Sequence, residues 1–149
     1  MALLSITSPH TTKSGNAGVV MRQVLYATIP AMLASSWYFG WGVIVNCLLA
    51  SATAISCEAA ILHIRNRPVV FYLRDYSALV TAILLALALP PLAPWWIPVL
   101  GTFFAIAFAK QAYGGLGSNP FNPAMAGYVF LLISFPVQMT SWLPADAGI

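Results

Sequence analysis

Charge is what this chain lacks. Lysine, arginine, aspartate and glutamate make up 6% of its 149 residues, and only three are acidic: Glu58, Asp75 and Asp146. A soluble domain carries about 25% charged residues, so the composition excludes an ordinary water-soluble globule. Cysteine is scarce too: Cys47 and Cys57 are the only two, and no CxxC occurs. Ten residues apart on a helix, they point about 80° away from each other. That argues against a disulfide or a paired metal site and leaves both as packing residues. His10 and His63 have no partner suggesting a metal site. Met1 to Asn16 is polar and has no apolar core with a cleavage site, so no secretory signal is visible. The net charge of +3 is better explained by membrane topology than by nucleic-acid binding.

What is present is apolar. Hydrophobic residues make up 60% of the chain and the mean hydropathy is +0.85, which marks an all-α integral membrane protein. At about 20 residues per crossing, the length allows roughly five helices. The apolar runs predict spans at about 19–39, 42–62, 76–90, 96–113 and 124–140. Pro30 should kink the first, as membrane helices tolerate. The domain division that follows is a cytoplasmic segment at 1–18, a five-helix membrane domain at 19–143 and a short periplasmic end at 144–149. With no charged tail after the fifth span, the chain reads as the N-terminal portion of a longer protein. An odd span count is also what one half of an inverted-repeat protein would have.

The cations give an orientation. Lys13 and Arg22 precede the first span, Arg65, Arg67 and Arg74 lie between the second and third, and Lys110 ends the fourth. All six fall on one side, which the positive-inside rule makes cytoplasmic. The N-terminus is then inside and the C-terminus outside. Trp37, Tyr38, Trp41, Trp95, Trp96 and Trp142 fall where an interfacial aromatic belt is expected on the other side.

Glu58 is the one acid placed inside a span. An intramembrane carboxylate costs on the order of 3 kcal/mol on insertion scales and suggests ion or proton handling. Alternatively, it reaches the interface or pairs with Arg65 or Arg67. Ser51, seven residues earlier, shares its helix face. Asn46, Ala50, Thr53 and Cys57 form a small, polar stripe suited to close helix packing. Asp75 is placed to cap the third span, while Ser77 and Thr81 suit bonds to their own helix's carbonyls.

The stretch GGLGSNPFNPAM, from Gly114 to Met125, cannot continue a membrane helix. It predicts a helix ending near Tyr113, an unwound crossing, and a restart with Asn122 as cap and Pro123 in the first turn. Broken backbone at membrane depth survives only against protein or a water-filled cavity. Gly114, Gly115, Gly117, Asn119 and Asn122 are therefore the candidate cavity lining. A tight turn between two full spans is the alternative. The glycines are no phosphate-binding loop, since neither GK[ST] nor a preceding strand accompanies them.

Leu89-Pro90-Pro91, Pro94-Trp95-Trp96 and FAIAFAKQAYGGLGSNPFNPAMAGYVFLLISFP, from Phe104 to Pro136, closely resemble the NqrB/RnfD family of membrane subunits. So do Ser8-Pro9-His10, Phe39-Gly40-Trp41-Gly42, the Glu58 helix and Asp75-Tyr76-Ser77-Ala78. The resemblance implies a multi-pass subunit of a redox-driven ion pump in the bacterial inner membrane, assembled with other Rnf subunits. Such a translocase couples electron flow between NADH and ferredoxin to ion movement, and this fragment alone would be inactive. It implies a fold of two inverted five-helix repeats, of which this chain would supply the first. Glu58 matches a glutamate that related subunits use in cation passage.

The family also implies flavin, FMN held covalently on a threonine in a Ser-Gly-Ala-Thr motif, with riboflavin as a second flavin. That motif is absent here, and Ser51-Ala52-Thr53 is only superficially similar. The attachment threonine is then expected beyond this chain. Hydropathy by itself fits two further readings: half of a small-solute or ion channel or transporter without a redox role, and a non-functional fragment.

Overall fold

The computed structural model describes residues 17–115 and 117–144. The expectations for Lys13, His10 and the rest of the first sixteen residues, and for the residues after Pro144, fall outside them. Among the described residues all regular structure is helical, with no strand. Its elements are α1 (Ala17–Phe39), α2 (Gly42–Ile64), the short α3 (Val69–Leu73), α4 (Ser77–Ala88), α5 (Trp96–Phe104), α6 (Pro123–Ser134) and α7 (Pro136–Thr140). α5 runs on as a π-helical segment over Ala105–Gln111. α1 begins two residues before the expected boundary and passes through Pro30 unbroken.

Five apolar helical segments stand where the sequence has five apolar runs, but their lengths differ. α1 and α2 have 23 residues each, about 35 Å at 1.5 Å per residue, which matches a hydrocarbon core of about 30 Å. These two are the described helices long and apolar enough to cross a membrane alone. α4 and α6 have 12 residues, about 18 Å each. The fifth run is not one helix. Phe135 leaves helical geometry (φ −136°, ψ 57°), and Pro136, which has no N–H to give to α6, opens α7 instead.

Small side chains set the core. Val43, Cys47, Ala50 and Ala54 line one face of α2, and Ala78, Ala82 and Ala86 of α4 pack there with Ile106. The near absence of bulk lets helix backbones approach closely, which is how helices associate where lipid competes for every apolar face. Cys47 is buried in this cluster and Cys57 lies against it, so both are packing residues. α6 meets α5 in the same manner: a Cβ on Gly127 would lie 2.8 Å from the Gly101 carbonyl oxygen.

The uncharged connections gather at one end. Gly42 lets the Pro91 carbonyl rest against the start of α2, and Asn46 Nδ2 donates to Pro90 O at 3.0 Å. Phe39 meets Trp142 edge-on with centroids 6.0 Å apart. Trp37, Trp41 and Trp95 are exposed there, as interfacial anchors would be. Trp96 is not one of them. It turns inward, edge-on to Phe135 at 4.9 Å. α1 buries only Gly18 and leaves Ile29, Leu33 and Trp37 open, an apolar face suited to lipid or a protein neighbour.

Candidate functional site

Glu58 sits in the last two turns of α2, and it is buried rather than at the interface. Its partner is neither Arg65 nor Arg67. Lys110 reaches across from the π segment and places Nζ 2.5 Å from Glu58 Oε1. Gln111, the next residue, donates from Nε2 to the same oxygen at 2.7 Å. Glu58, Lys110 and Gln111 are only 1%, 2% and 3% exposed. Lys110 is therefore not a free cation at the rim that marks topology, but the counter-charge of the intramembrane acid. Arg65 instead donates to Gln111 O at 2.8 Å, and Arg67 lies over the Tyr72 ring at 5.8 Å.

The π geometry is what turns two adjacent residues inward together. Ala112 N bonds Ala107 O at 3.0 Å, five residues back, whereas the bond from Gly115 N to Lys110 O closes the helix end over left-handed Gly114. Such widened turns are rare and frequent at functional sites. Here the wide turn presents both the ammonium of Lys110 and the amide of Gln111 to α2.

The network continues into α4. Lys110 Nζ donates to Ser77 Oγ at 2.6 Å, and Ser77 Oγ donates to Asp75 Oδ1 at 2.7 Å. Ser77 thus bonds outward, whereas Thr81 bonds its own helix, donating to Ser77 O at 2.9 Å. Asp75 Oδ1 also accepts from Ser77 N at 2.8 Å, which caps α4 across Tyr76, a residue held at φ 59°. Ser51 adds no hydrogen bond to the cluster among the described residues. One acceptor is left over: Glu58 Oε2 is buried with no hydrogen-bond partner among the described residues.

Two cavities flank the ion pair. The larger, about 490 Å³, is lined by Glu58 and Gln111 together with Arg22, Arg67, Arg74 and Asp75. The smaller, about 330 Å³, is lined by Lys110 and Ser77 together with Asn119, Pro120, Phe121 and Asn122. The carboxylate thus belongs to one cavity wall and the ammonium to the other.

The glycine-proline stretch runs beside both. Gly114 (φ 109°) and Gly115 (φ 102°) lie in the lining of the larger cavity, in left-handed backbone that glycine adopts without strain. Asn119 and Asn122 line the smaller one. Asn122 Oδ1 accepts from Ala124 N at 2.9 Å and Pro123 opens α6. Asn119 Nδ2 donates to Phe121 O at 2.7 Å. Gly117 lines neither cavity, and a Cβ there would meet nothing within 4 Å. Lys110, Gln111 and Ser77 are the site residues that sequence reasoning missed. The usable signal was Glu58 itself, since an intramembrane acid requires a counter-charge.

Residues 4–148 match the NQR2, RnfD, RnfE family. Among curated relatives, the chain is 62% identical over 149 residues to the D subunit of the ion-translocating oxidoreductase complex of Ectopseudomonas mendocina, covering 100% of this chain and 43% of the relative. It is 59% identical over 143 residues to the protein of the same description from Alcanivorax borkumensis, covering 96% and 42%. Against that of Aliivibrio salmonicida it is 57% identical over 145 residues, covering 97% and 41%. The chain thus spans about two-fifths of the length of the curated relatives it matches.

Proposed function

Because the chain belongs to the NQR2, RnfD, RnfE family, we propose that it serves as a membrane subunit of an ion-translocating oxidoreductase complex. In this reading it works with the other subunits of an Rnf-type complex in a bacterial inner membrane, where electron transfer between NADH and ferredoxin drives an ion across. The five apolar segments form the membrane part, with the shorter ones completed by packing against neighbours. The end that carries Arg22, Arg67 and Arg74 faces the cytoplasm, and the end that carries Trp37, Trp41 and Trp95 faces the periplasm.

One observation carries the reading: a buried ion pair, Glu58 with Lys110, stands between two cavities. An ion path needs a carboxylate that can exchange its counter-charge for a cation. Glu58 supplies that acceptor, Gln111 orients it, and Lys110 keeps the pair neutral while no ion is present.

The family likeness calls for a covalently held FMN. The described residues do not fit that attachment. In Ser51-Ala52-Thr53, the nearest sequence to the motif, Thr53 lies inside α2 and its hydroxyl donates to Leu49 O at 2.8 Å.

The test uses membrane vesicles from cells in which the gene for the full-length subunit is deleted or restored. Electron-donor-driven ion uptake should vanish on deletion and return on restoration. Uptake that survives deletion would contradict the reading.

A further inference from the structure

We propose that Lys110 is a tethered cation that occupies the transported ion's place at Glu58 and must withdraw into the smaller cavity for a sodium-sized cation to bind. The proposal rests on the ion-pump reading above and adds to it a residue that decides when the site opens. Its starting point is the pair of oxygens on Lys110 Nζ: Glu58 Oε1 at 2.5 Å and Ser77 Oγ at 2.6 Å. A carboxylate and a hydroxyl are hard oxygen donors, the ligands that alkali cations take. The ammonium therefore sits where such an ion would sit, and carries the same charge. Exchange of one for the other keeps the buried cluster neutral, which avoids the large cost of an uncompensated carboxylate.

The charges around the two cavities choose the route. Arg22, Arg67 and Arg74 outnumber Asp75 in the lining of the larger cavity and oppose entry of a cation from that side. Among the described residues, the smaller cavity has no charged group in its lining other than Lys110 itself. The side chain has somewhere to go there: Asn119 uses its Nδ2 toward Phe121 O, which leaves its Oδ1 to accept an ammonium on a flexible four-carbon stem. The asparagines of the broken stretch thus gain a purpose, as the alternative seat for Lys110. With the lysine on Glu58, the site is shut to metal cations.

The experiment uses the assembled complex in vesicles, with the full-length subunit, and titrates sodium chloride against choline chloride. The readout is the sodium concentration that gives half-maximal electron-transfer-driven uptake, separately from the maximal rate. In Lys110→Met the tethered competitor is gone, and half-saturation should fall by about tenfold or more, equivalent to ~1.4 kcal/mol. In Asn119→Ala the ammonium loses its alternative seat while the buried pair stays whole, so half-saturation should rise. Asn119→Ala carries the test should Lys110→Met fail to assemble.

Half-saturation equal to wild type in an assembled Lys110→Met complex, or in Asn119→Ala when only that assembles, overturns the proposal. So does a wild-type complex whose uptake shows no dependence on sodium. Glu58→Gln separates this failure from failure of the pump reading. If it stops uptake while the lysine variant leaves sodium dependence unmoved, the pump reading stands and the role of Lys110 falls. If it pumps normally, the Glu58 path falls as well.

Discussion

Glu58 and Lys110 are 52 residues apart in the chain, yet their charged groups meet at 2.5 Å in the interior. Removing one partner of a buried pair leaves the other uncompensated, at a cost of about 3–5 kcal/mol. Lys110→Met should therefore lower the thermal unfolding midpoint of the detergent-solubilised full-length subunit. Adding Glu58→Gln, which removes the second charge and keeps its shape, should restore most of the loss. Additive losses in the double variant would mean that the two charges do not stabilise one another.

The turn at Pro90-Pro91 is held to α2 by one side-chain hydrogen bond, from Asn46 Nδ2 to Pro90 O. Asn46→Leu removes one of two donors on that carbonyl, since Ala93 N also donates to Pro90 O at 3.0 Å, and should cost about 0.5–1.5 kcal/mol. Unfolding of this variant followed by tryptophan fluorescence should show the loss, because Trp95 and Trp96 lie just beyond the turn. An unchanged midpoint would mean that Gly42, against which the Pro91 carbonyl rests, fixes the turn without help.

Contact between α5 and α6 depends on Gly127. A methyl group there would meet the Gly101 carbonyl oxygen at 2.8 Å and Ala105 Cβ at 3.0 Å, and neither is the end of a flexible side chain. Gly127→Ala should thus push the helices apart at a cost of about 1–3 kcal/mol, as overpacking does. Protease resistance of the subunit in membranes would report it. Gly115→Ala meets open space but is held at φ 102°, so its penalty comes from backbone strain alone.

The restart of α6 rests on Asn122 Oδ1 and the Ala124 amide. Asn122→Ala should destabilise that helix start by about 1 kcal/mol, and Asn122→Asp, which keeps the accepting oxygen, should not. Hydrogen exchange at Ala124 and Met125 gives the comparison. Equal exchange in all three proteins would show that the proline at the first position suffices.

The parts of this molecule governed by neighbouring residues are legible in the sequence. Asn122-Pro123 announces a helix start, the glycines announce left-handed backbone, and Asp75 announces a cap. Each depends on chemistry within two or three positions. Lys110 is not legible, because its burial depends on a π turn that no glycine or proline between Ala105 and Gln111 signals. A lysine at the end of an apolar run looks the same whether it faces water or a buried glutamate. Hydropathy carries the fifth run straight through Pro136, although the proline's missing N–H marks where the helix divides. Trp96 is misplaced for a related reason: composition puts a tryptophan at a helix end, but only packing says which way it turns.

The most direct measurement of the central claim is ion uptake by vesicles containing the complete complex with Glu58→Gln in the full-length subunit. Glutamine keeps the side-chain volume and an accepting oxygen but removes the charge that a cation would seek. Electron-transfer-driven uptake should fall by at least tenfold while the complex still assembles with its partner subunits. Uptake at the wild-type rate from a fully assembled Glu58→Gln complex would contradict the account.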